Sequence, residues 1–166
     1  MADYYTPTVI QQTIPAADMT PLERLLLTRI LNAEPDGDGL YFYADEGPSD
    51  LAVIERGELD KALVASREAG DSRAASFVAE QLAQLGAEEA EVELDLSGTS
   101  WEFFIQDIVR RSPRLRYVSV VSSFLCSKMR SDGFGGMAVL ITAERILAKS
   151  TGDLIEEFLK EAGLEA

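Results

Sequence analysis

The sequence predicts an α+β fold: a mostly antiparallel sheet of about five strands, with about five helices packed mainly on one face. Three observations carry this. Glu91 to Leu96 alternates strictly, with Val92, Leu94 and Leu96 on one side and Glu91, Glu93 and Asp95 on the other, the pattern of a half-buried strand. Trp101, Phe104, Ile105 and Ile108 recur at helical spacing and make the heaviest apolar helix face in the chain. Two β-branched and aromatic runs, Leu115 to Leu125 and Met137 to Ile141, flank a glycine loop and read as a hairpin. Helices do not alternate one-for-one with strands, which disfavours a parallel sheet.

The elements follow in order. Residues 1–18 read as an N-terminal arm or edge strand, with Pro7 and Pro15 bounding Thr8 to Ile14. Thr20-Pro21-Leu22-Glu23 opens a helix: Thr20 caps it, Pro21 occupies the first turn, and Glu23 completes a capping box. Leu22, Leu25, Leu26 and Ile30 form its stripe. Pro35 to Gly39 ends it in a tight loop. Leu40 to Tyr43 is a strand expected to pair with Leu51 to Ile54 across a turn at Glu46 to Ser49. A helix from about Glu58 to Gly70 precedes one from about Ser72 to Gly86. Thr99 to Glu102 has the form of a second capping box. The last helix opens near Ser150 and is expected to pack Leu154, Ile155, Phe158 and Leu159. The 166 residues read as one domain.

Composition excludes several chemistries. The chain has 29 Asp and Glu against 15 Lys and Arg, a net charge of −14. It has no histidine and one cysteine, Cys126, so histidine triads, histidine-liganded zinc and thiolate zinc cages are excluded. No disulfide forms within the chain. The single thiol and the lack of a basic, apolar leader predict a cytoplasmic location. No apolar run reaches the ~20 residues of a membrane helix. A body of this charge disfavours direct nucleic-acid binding, because phosphates repel it.

Charge is segregated along the chain. Between Asp107 and Asp132 there is no acid, and six of the 15 bases fall there: Arg110, Arg111, Arg114, Arg116, Lys128 and Arg130. Everything else holds 29 acids against nine bases, a charge of −20. Arg114 and Arg116 would share a strand face. Together with Ser127, Lys128, Arg130, Gly133, Gly135 and Gly136 they form a candidate site for an anionic ligand, with guanidinium forks and close backbone approach. The competing reading is internal ion pairing around a long hairpin connection. The loop matches no phosphate-binding motif.

Asp36-Gly37-Asp38-Gly39 resembles a calcium loop, but Leu40 and Gly47 stand where oxygen ligands are needed, so it reads as a turn. No metal or cofactor is expected. Cys126, between Leu125 and Ser127, reads as core. Two acidic faces are candidate partner surfaces: Glu88, Glu89, Glu91, Glu93 and Asp95, and Glu156, Glu157 and Glu161. Regularly spaced carboxylates could imitate nucleic-acid phosphates toward a basic protein.

The stretches Tyr4 to Ile10, Glu34 to Tyr43 and Phe124 to Gly136 resemble uncharacterised small proteins of bacterial plasmids and integrative elements. That resemblance implies a mobile-element accessory role, including inhibition of host defence, and assigns no activity to any residue. The function expected is a non-enzymatic acidic interaction protein binding a basic macromolecular partner, of anti-restriction or anti-CRISPR type. The alternative is a domain binding an anionic small molecule, or an enzyme, at the 126–136 loop. A homodimer that exchanges or docks the Tyr4 to Ile14 arm is a third reading.

Overall fold

The computed structural model describes residues 1–86 and 89–165. Its order is β1 (Tyr4–Tyr5), β2 (Thr8–Ile10), β3 (Ile14–Pro15), α1 (Pro21–Ile30), β4 (Asn32–Asp36), β5 (Gly39–Ala44), β6 (Leu51–Glu55), α2 (Arg56–Ser66), α3 (Arg73–Gln84), β7 (Glu91–Asp95), α4 (Trp101–Arg111), β8 (Tyr117–Cys126), β9 (Gly135–Thr142), β10 (Ile146–Ser150) and α5 (Thr151–Glu161). The fold is α+β, and every strand pair is antiparallel.

Eight strands form one sheet. Its columns run β10, β9, β8, then the N-terminal segment, then β5 and β4. The segment holding β1, β2 and β3 is therefore the middle of the sheet, not an arm or an edge. β2 pairs β8 on one side and β5 on the other. Prolines are tolerated there because the chain uses their carbonyls: the Pro7 carbonyl accepts from Ser123 N at 2.9 Å. The proline break only interrupts the column between β1 and β2.

Two pairings differ from the sequence reading. β5 pairs with β4, through a two-residue turn in which Gly37 has φ 59°. The expected loop at Pro35 to Gly39 is thus a hairpin with glycine at its first central position. β6 pairs with β7 in a separate two-stranded ladder, Leu51 opposite Asp95 and Glu55 opposite Glu91. Local alternation says which face a strand buries but not which neighbour it finds.

α1 and α4 contact the large sheet and also the second layer built from α2, α3 and β6. In α4, residues 104–109 are all buried. A helix buried on every side must have packing on both faces. Its polar members are satisfied: Gln106 Nε2 donates to the Thr142 carbonyl at 2.9 Å, and Asp107 accepts from Arg73 N at 2.8 Å and from the Arg73 guanidinium at 2.8 Å. Glu23, fully buried in α1, accepts from Thr20 N, from Ser72 Oγ and from Arg111. The α1 capping box forms as expected. That at α4 does not, because the Ser100 hydroxyl bonds the Glu102 carboxylate instead of the backbone.

On the far side of the large sheet α5 touches the β9–β10 end, where Lys149 pairs with Glu157. Val9, Val121, Ala138, Leu147 and Lys149 are exposed there, alternating with buried Ile10, Val120 and Val139. Leu140 and the stacked Tyr41 and Tyr43 share that face.

Candidate interaction surfaces

The glycine loop between β8 and β9 is anchored on both sides. Asp3 N donates to Ser127 Oγ, and Ser127 N to the Asp3 carbonyl, each at 2.9 Å. Gly136 N donates to Thr151 Oγ1 at 3.2 Å. The glycines are needed for packing. A Cβ at Gly133 would lie 2.6 Å from Cys126 Cβ, and one at Gly135 would lie 2.7 Å from Thr151 Oγ1. Neighbouring side chains thus occupy the space a ligand cradle would use. Cys126 is buried beneath the loop. Lys128 is exposed and Arg130 pairs with Asp132, two residues along, at 3.3 Å.

The basic segment does not converge. Arg114 and Arg116 precede β8, while Lys128 follows it. Ten strand residues put the two groups ~30 Å apart. Arg114 reaches Asp38 in the β4–β5 turn at 2.6 Å, and this guanidinium holds the Asp38 carboxyl below its ordinary range. Arg110 pairs with Asp107, and Arg111 with buried Glu23. Four of the six bases therefore have an acidic partner. The clustering is real along the chain and is dispersed in space.

The acids behave differently. On the outer face of the β6–β7 ladder, Glu91, Glu93 and Asp95 project beside Leu51, Val53 and Glu55, all exposed. Among the described residues, Glu55, Glu91, Glu93 and Asp95 enter no ion pair with a base. Ser97, through its hydroxyl and its backbone N–H, holds the Asp95 carboxyl below its usual range. Glu89 is exposed just before this strand, and Glu88 lies outside the described residues.

The second acidic face lies on α5. Glu156, Glu157 and Glu161 are exposed, and Glu157 pairs with Lys149 at 2.7 Å. A capping box of Ser150 and Asp153 starts this helix, and those bonds lower the Asp153 pKa. The apolar stripe expected to pack does not: Leu154, Ile155, Phe158 and Leu159 are 37–57% exposed, and α5 buries no residue. The sequence pattern of α5 was sound as a helix. What it lacked was any signal that the chain itself provides no opposing surface.

Among the described residues no group of three or more acids or thiols is placed to hold a metal ion. No described helix is long and apolar enough to cross a membrane. The chain matches no family model, no curated protein and no solved structure.

Proposed function

We propose that the chain is a non-enzymatic acidic interaction protein, acting in the cytoplasm, that docks the outer face of β6–β7 on a basic macromolecular surface. The observation carrying this is the ladder's row of acids, which enter no ion pair among the described residues. Glu55 and Glu91 stand directly opposite each other, an arrangement that destabilises a strand pair. Glu93 and Asp95 extend the row, and exposed Leu51 and Val53 supply apolar contact beside it. A partner presenting Lys or Arg around an apolar patch relieves the repulsion and covers both side chains. In line with the sequence resemblance to mobile-element proteins, the role assigned is an accessory one, such as inhibition of a host nuclease that itself grips nucleic acid with a basic groove.

The test is affinity capture from a bacterial host at low and high salt, with the native chain and with the charge-reversed Glu91→Lys, Glu93→Lys, Asp95→Lys variant. Basic proteins captured at low salt, released by salt, and lost in the variant are expected. An identical capture profile for the two chains would refute the reading.

A further inference from the structure

Three uncovered features meet at one side of the large sheet. β10 is its last strand, so its outer edge takes no strand partner. A bare edge is a template for pairing with another chain. Leu147 of β10, 43% exposed, opens an apolar patch that continues through Leu140, Ala138 and Val121 to Val9 on the exposed face of the sheet. Immediately after β10, α5 carries its stripe of Leu154, Ile155, Phe158 and Leu159, none of it buried.

We propose that a second copy of this chain covers these features, forming a two-fold dimer around β10 and α5 in which each α5 stripe packs on the Leu147 face of its partner. A helix stripe and a flat apolar sheet face are complementary surfaces, and the same chain exposes both. A two-fold axis satisfies them in pairs, because the surface each copy offers is the one the other needs. The area agrees. With ~200 Å² for each large apolar side chain, the exposed fractions of Leu154, Ile155, Phe158, Leu159, Leu147, Val121 and Val9 sum to roughly 600 Å² per chain, the lower end of the ~600–1,000 Å² per partner of a specific interface. The N-terminal segment is not exchanged between copies, since its hydrogen bonds are spent inside its own sheet.

Sedimentation equilibrium of the purified full chain at ~10–100 µM tests this independently of any foreign partner. The expected mass is twice the 18.1 kDa of the chain. Phe158→Glu and Leu147→Glu should each return it to the monomer mass with an unchanged far-ultraviolet spectrum, because both side chains are exposed within one chain. Leu51→Glu, on the β6–β7 ladder, should leave the dimer intact. A native chain that sediments as a monomer overturns the proposal, including the case where α5 serves a different protein. So does a dimer whose mass neither Phe158→Glu nor Leu147→Glu changes. Loss of the dimer in Leu51→Glu would move the interface to the ladder and overturn it equally.

Discussion

α4 and α5 are both eleven-residue helices with a comparable apolar stripe: Phe104, Ile105, Ile108 and Val109 in one, Leu154, Ile155, Phe158 and Leu159 in the other. One is buried on every side and the other buries nothing. The difference is not in the helices. α4 enters between a sheet and a second helical layer that already exist on either side of it. α5 follows the last strand of the sheet, and no described element covers its stripe. An amphipathic stripe therefore states a requirement for cover, and topology decides whether the same chain meets it.

Core substitutions test that contrast most severely. Phe104→Ala should cost about 4 kcal/mol of unfolding free energy, as a large fully buried side chain leaves a cavity. Phe158→Ala, in a chain already carrying Leu147→Glu, should cost less than about 0.5 kcal/mol, the range of ordinary surface changes. Urea titrations of both variants measure the ratio. A Phe158→Ala loss comparable with Phe104→Ala would mean that α5 is held to its own chain.

The polar side of α4 supplies the next effect. Asp107→Ala removes the acceptor of the Arg73 N–H and leaves its guanidinium only Gln106, and should cost about 2 kcal/mol. No acid on α5 has an equivalent role. Glu156→Ala should leave the urea midpoint where it is.

The two capping boxes sharpen the contrast at lower energy. Thr20→Ala should destabilise the whole domain by about 1 kcal/mol, because α1 cannot fray without opening the core. Ser150→Ala, in a chain carrying Leu147→Glu, should fray α5 locally, reducing helical circular dichroism while leaving the global midpoint in place.

The smallest effect is in pH. The Asp153 pKa in the folded chain lies below its ordinary value because Ser150 donates to the carboxylate. Its contribution is therefore complete above the unfolded pKa near ~4 and is lost as pH falls through the lower folded value. The helicity of the native chain and of Asp153→Asn should differ at pH 7 and converge on acidification below about pH 4. A difference that persists at pH 2 would assign the effect to something other than the carboxylate.

How much of this was legible depended on the range of the contact involved. The α1 cap, the alternation of β7 and the β8–β9 hairpin are set by residues near each other in the chain, and they appear where the sequence puts them. Pro35 to Gly39 reads as loop, because Pro35 and the polar Asn32, Glu34 and Asp36 hide an edge strand whose only regularity is its partner. β10 is as short and as exposed. The pairing of β6 with β7 spans 40 residues, and nothing in either strand names the other. The basic segment misled for a related reason: closeness along the chain is not closeness in space when an extended strand of ten residues lies between. The acidic row on β7 was legible, since alternation fixes its face. Its like-charged neighbour Glu55 was not, because that depends on the pairing.

The N-terminal column also bears on how the protein is made. Thr8 lies opposite Ser122, 114 positions later. A nascent chain leaving the ribosome offers β2 only the β5 side until that distant segment emerges, so the centre of the sheet closes late in synthesis. Until then the apolar inner row of β2 and β5, Ile10 and Phe42, lacks its second flank, and the growing polypeptide is a client for chaperones.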